Sequence, residues 1–139
     1  MGAPNHSSRK HAMLSASKAD RWINCTPSAR LEEKVEETGK PSKYAEEGTL
    51  AHEMAECYLR ARFRITPVDV TSAELRKLKK SDLYTEDMDE PVMAYCQYVT
   101  DQYMEALRKT KDALVLLEER LDFSAWVEQG FGTGDACII

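Results

Sequence analysis

The chain has no C-x-x-C pair. Its four cysteines, Cys25, Cys57, Cys96 and Cys137, are scattered, which leaves neither a zinc knuckle nor a disulfide frame and makes reduced thiols the default. No apolar run comes near the roughly eighteen residues of a membrane span, and nothing close to the N-terminus resembles a secretion signal. A cytoplasmic location without a membrane partner is the resulting expectation. Nor is there an excess of positive charge. The net charge of -5 at pH 7 argues against a generic polyanion-binding surface, so any nucleic-acid contact has to use the local basic clusters at 60–64, 76–80 and 108–111. Solvated helix faces are the plainer expectation for each.

With 139 residues, 42% of them hydrophobic, there is room for one domain and one modest core. Residues 1–13 are polar and aperiodic and contain His6 and His11, so they read as a flexible tail. Ser15 or Ser17 suits the N-cap of a short helix presenting Trp22 and Ile23, and Pro27 suits the first turn of a second helix running towards Gly39. Gly39 and Pro41 mark a loop through Gly48, with Thr49 as N-cap of a helix that continues to about Phe63. A short basic helix follows from about Ser72, then an acidic turn, then the longest pattern of all. From Glu90 to Lys109, Val92, Met93, Tyr95, Cys96, Val99, Tyr103, Met104 and Leu107 recur at spacings of three and four, which predicts a core-facing helix.

The chain closes with two strand patterns. Leu114 to Leu117 is a short continuous apolar run, and the segment after the loop containing Trp126 and Gly130 reads GTGDACII. Helices first and two adjacent strands last predict an α+β fold, mostly helical. Apolar Ile138 and Ile139 suggest a sheet incomplete at the C-terminus, and an open edge suggests self-association.

Two residues stand out as candidates for chemistry. His52 lies one helical turn before Glu56 and on the same side as Ala55 and Leu59, which predicts a histidine pointing inward. Asp135 is a lone acid in a strand otherwise composed for burial. Such an acid costs several kcal/mol unless it is paired or bound to a metal.

The order of motifs S-x-S-x-x-x-R-W-x-x-C-x-P-S-A-R-L-E, Y-A-E-E-G-T-x-A-H-E-M-A-E, E-R-L-D-F and G-F-G-T-G-D-A resembles a phage and prophage family catalogued as domain of unknown function 2800. That family in turn resembles the PD-(D/E)XK nuclease superfamily, close to the RecB-type exonuclease domains. The resemblance covers residues 14–139 and implies the N-terminal part of a RecB-like nuclease domain, the first strands of its central sheet included, acting on DNA with Mg²⁺ or Mn²⁺. It makes His52 the helix histidine and Asp135 the strand aspartate of the catalytic and metal site, with Glu56 and Glu119 as supporting acids. The pattern departs from the family at one place. A Glu/Asp-x-Lys strand should follow Asp135, whereas Ala136, Cys137, Ile138 and Ile139 do. Glu32, Glu33 and Lys34 contain Glu-x-Lys, but upstream on a helix, where a solvated face is expected. The expectation is therefore a truncated enzyme, inactive alone.

Cys25 resembles the N-terminal ligand of an iron-sulfur cluster found in some relatives, but Cys57, Cys96 and Cys137 lack the matching group of three, so core thiols are expected. Trp22 likewise reads as a core anchor. Two further readings stay open: a non-catalytic DNA-binding or assembly module, and a plain structural role in which His52 and Asp135 hydrogen-bond in the core.

Overall fold

The structure is a computed structural model that describes residues 12–15, 18–32, 34, 42–127 and 130–139. The tail with His6 and His11, the candidate cap Ser17, and Gly39 and Pro41 of the expected loop lie outside the described residues. Five α-helices and two strands are described: α1 (Ala19–Asn24), α2 (Ser28–Glu32), α3 (Lys43–Arg62), α4 (Val68–Leu78), α5 (Asp89–Lys109), β1 (Val115–Asp122) and β2 (Phe131–Ile138). The class is α+β, mostly helical with a two-stranded antiparallel sheet.

The long helix α3 starts earlier than its sequence suggests. Ser42, in extended backbone conformation, is the N-cap, and its hydroxyl accepts a hydrogen bond from Ala45 N at 3.2 Å. Gly48 and Thr49 therefore sit inside the helix, where the Thr49 hydroxyl donates to Ala45 O at 3.0 Å. A glycine within a helix costs about 1 kcal/mol relative to alanine. That is a small penalty against the burial of Leu50, Met54, Ala55, Cys57 and Leu59 along the same helix. Phe63 closes α3 as C-cap, as the sequence pattern indicates.

Helix α4 also begins early, directly after Pro67 rather than near Ser72. Proline has no N–H to lose at a helix start, and its fixed φ suits entry into the first turn. A 3₁₀ turn at Glu86–Met88 leads into α5, with Pro91 in the first turn. Of the apolar stripe on α5, Val92, Cys96 and Val99 are buried, whereas Met93 and Met104 are exposed.

Two compact units divide the chain. Of the described residues, one comprises 42–119 and 135–139, the other 12–34 and 120–134. In the first, α3 packs against both α4 and α5. The core is Leu50, Met54, Ala55, Leu59, Val92, Cys96 and Val99, with Leu117 of β1 and Ala136 of β2 packed against it. Asp89 at the start of α5 accepts from Lys79 Nζ at 2.6 Å and from the Tyr84 hydroxyl at 2.9 Å, which ties the end of α4 to the start of α5. The ammonium of Lys79 holds the Asp89 carboxyl below the usual carboxylate range.

In the other unit, Trp22 is half-buried, and its indole N–H donates to Ser15 O at 3.0 Å. Glu32 is engaged by Lys18 at 2.9 Å and by Arg21, and these two cations lower its pKa. Glu32 of the Glu-x-Lys spelling is thus held in ion pairs with Lys18 and Arg21. Cys25 is exposed, which corrects the expectation of a core thiol there; Cys57 and Cys96 are buried as expected, and Cys137 is half-buried. In the hairpin, Phe123 N donates to Gly130 O at 3.1 Å, and Arg120 lies over the Phe131 ring at 3.9 Å.

Candidate metal centre

Strand pairing brings the candidate residues together. Leu114 and Ile139 exchange reciprocal backbone hydrogen bonds of 2.8 and 3.0 Å. That pairing sets β1 against β2 at this end of the sheet, and Glu118 of β1 brings a carboxylate oxygen within 4.8 Å of one on Asp135 of β2. His52 reaches the same place from α3, its Nδ1 standing 3.5 Å from Asp135 Oδ2.

The three side chains offer one nitrogen and two carboxylate oxygens, all within 4.8 Å of one another. They belong to a single compact unit. Neighbouring ligands of an octahedral cation at about 2.1 Å stand about 3.0 Å apart, so the set is wider than a closed site and would have to contract by rotation of its exposed side chains. One imidazole with two carboxylates suits Mn²⁺ and the later divalent metals, and with added waters it accommodates Mg²⁺.

Two expectations from sequence are corrected here. His52 does not point inward and Asp135 is not buried: their side chains are 58% and 51% exposed. The desolvation cost that singles out Asp135 in the sequence is thus largely absent. What its strand position supplies is an exposed ligand near another acid. His52 and Asp135 are paired at 3.5 Å, but at the surface rather than in the core.

Glu118 is the site residue that sequence reasoning missed. It adopts a φ of 51°, one of two positive-φ non-glycine residues among those described, the other being Arg64. A regular pleat alternates its side chains between faces, and a left-handed residue in a strand breaks that alternation. The carboxyl of Glu118 is pushed above its ordinary pKa by partial burial, then by Asp135 and Glu56, with His52 acting in the opposite direction. Crowded acids of this kind are relieved by a cation.

The two supporting acids expected from sequence lie differently. Glu119 is exposed and not part of the cluster. Glu56 ion-pairs with Arg60 at 3.1 Å and reaches the site only through its field on Glu118.

Beside His52 lies a cavity of about 170 Å³ lined by Ala51, His52, Ala55, Met88, Pro91, Val92 and Tyr95. The Tyr95 phenol is raised in pKa by burial and then by Asp135, Cys96 and Glu118. Its hydroxyl therefore feels both carboxylates of the cluster.

The basic segments are mostly engaged. Arg60 pairs with Glu56, Arg62 donates to Gln97 and Thr100, and Arg108 and Lys109 pair with Glu105. Around the end of α4, Ala73, Arg76, Lys77, Lys79 and Lys80 line a concavity of about 470 Å³. No helix among the described residues is long and apolar enough to cross a membrane.

Residues 11–139 match the family model described as Protein of unknown function (DUF2800). No solved structure matches the chain.

Proposed function

The chain belongs to the DUF2800 family of proteins of unknown function, and from that premise we propose that it carries the cation-holding part of a phage-type, RecB-like PD-(D/E)XK nuclease site acting on DNA. The observation that supports this reading is the convergence of His52, Glu118 and Asp135 within 4.8 Å. A divalent cation bound there would stabilise charge building on a scissile phosphate and acidify a coordinated water. The residues' own tasks are simpler. His52 offers Nδ1, Asp135 and Glu118 offer carboxylate oxygens, and the exposed face of the cluster leaves the remaining positions to water and phosphate.

None of the three cluster residues is a lysine. Residues 136–139 carry neither a carboxylate nor an amine on their side chains, and Glu32 upstream is committed to Lys18 and Arg21. Activation of the attacking water therefore calls on a group outside this set. Cation binding without efficient phosphodiester cleavage is the expected behaviour of the chain alone. Calorimetric titration with Mn²⁺ and Mg²⁺, run beside a DNA-degradation assay with Asp135→Ala as control, tests this. One saturable site lost in the variant supports the reading, with Mn²⁺ bound more tightly than Mg²⁺. Absence of any Mn²⁺ binding at millimolar concentration sinks it.

A second reading, a non-catalytic DNA-binding module, is favoured by the basic concavity at the end of α4. It predicts salt-dependent DNA binding that survives chelation of metals and the His52→Ala change, and that is lost when Lys77 and Lys80 are changed to Glu.

A further inference from the structure

The cavity beside His52 and the cation cluster share a wall. His52 lines the cavity and also presents Nδ1 to Asp135. A phosphate held at the cluster would thus have its own nucleoside, or its neighbour's, within reach of the cavity mouth. We propose that this cavity receives an unpaired nucleobase, so that the site takes single-stranded DNA and positions it by stacking a base against Tyr95. The inference rests on the cation-site reading above.

Three properties of the cavity support that occupant. Its volume of about 170 Å³ is several times the roughly 30 Å³ share of one water in the liquid, which admits a flat heterocycle rather than a few solvent molecules. Apart from His52 and the Tyr95 hydroxyl, its lining is apolar: Ala51, Ala55, Met88, Pro91 and Val92. Such walls hold a base by contact with its faces and do not read its edges, which predicts tolerance of sequence. In a duplex, by contrast, each base is already stacked and paired, so entry would require unpairing. Tyr95 supplies the aromatic face among these lining residues.

Charge makes the cation a precondition. The chain carries net charge -5, and two of the three cluster residues are acids, so a strand approaches the bare cluster against repulsion.

The test measures binding, by fluorescence anisotropy in Mn²⁺, of an oligothymidylate of about ten nucleotides, an abasic strand of equal length and a blunt duplex. The wild-type chain, Ala51→Leu, which narrows the cavity, and Tyr95→Leu, which keeps bulk but removes the aromatic face, are compared. Mn²⁺ titration of the same proteins reports the cation site separately. The inference predicts that the wild type binds oligothymidylate about tenfold more tightly than the abasic strand or the duplex, and that both variants fall to the abasic level. Intact Mn²⁺ binding with equal affinity for base-bearing and abasic strands overturns the inference and leaves the cation site standing. Retention of the wild-type preference by both variants overturns it in the same way. Equal strand binding together with a dimer that Ala51→Leu dissociates overturns it by assigning the cavity to a second copy of the chain. A wild type that does not bind Mn²⁺ removes the premise and the inference with it.

Discussion

Glu118 combines three properties at one residue: a left-handed backbone, a carboxyl with raised proton affinity, and a place in the cation cluster. A non-glycine residue held in that region costs on the order of 1 kcal/mol, and such strain concentrates at functional sites. Glu118→Gly should therefore keep or raise the melting temperature while weakening Mn²⁺ binding by about 10–100-fold or more, the range seen when even outer partners of metal sites are removed. Thermal unfolding and calorimetry on the one variant separate the two effects. The pH dependence follows from the raised pKa. Folding without metal favours the protonated Glu118, so this group's contribution to stability is greatest at low pH and declines as pH rises from the ordinary glutamate value through the higher folded one. Cation binding needs the ionised form, so Mn²⁺ affinity should fall on acidification within that same window, above the ordinary carboxylate range. Glu118→Gln should remove both dependences, which Mn²⁺ titrations and melting curves at several pH values will show.

At the scale of the elements, α3 and α5 carry the packing, and Met54, Leu59 and Cys96 are the largest fully buried side chains. Truncating Leu59 to Ala should cost about 2–5 kcal/mol in chemical denaturation, because it leaves a cavity that close-packed neighbours fill only partly. Gly48 behaves in the opposite sense. A Cβ added there meets nothing within 4 Å, so Gly48→Ala should stabilise α3 by about 0.5–1 kcal/mol, visible as a rise in melting temperature. Gly130 has no such room, since its added Cβ would fall 2.5 Å from Phe123 Cδ2 and 2.8 Å from Val127 O.

The same elements differ in how legible they are from sequence. The α5 stripe is readable because burial imposes a helical period on Val92, Cys96 and Val99. The start of α3 is misread because Gly48-Thr49 resembles a helix start, whereas the hydroxyl that caps the helix belongs to Ser42. Local signals of comparable strength compete there, and packing of the distal helix does not choose between them. His52 and Asp135 stand out as a pair in the sequence, yet for a reason the structure does not support, since neither is buried. Glu118 is not distinguishable from Glu119 by composition or spacing. Membership in the cluster depends on which of them the strand pairing brings near Asp135, and that pairing is a non-local property.

For the molecule as a whole, holding a cation is separable from cleaving DNA. The residues proposed to hold the cation, His52, Glu118 and Asp135, lie in one compact unit. None of residues 136–139, which follow Asp135, is a lysine. The purified chain should therefore bind Mn²⁺ with a dissociation constant of about 10⁻⁴ M, typical of sites with few fixed oxygen ligands, and leave single-stranded and duplex DNA intact over hours. Metal-dependent degradation abolished by Asp135→Ala would instead mean that a second copy completes the site.

The most direct measurement is calorimetric titration of Mn²⁺ into the wild-type chain and the Glu118→Gln variant side by side, with far-UV circular dichroism confirming that both are folded. One saturable site is expected in the wild type, and binding at least about tenfold weaker in the variant. Equal Mn²⁺ binding by two folded proteins would refute the proposed centre, because the Glu118 carboxylate that stands within 4.8 Å of Asp135 and His52 would then play no part in holding the cation.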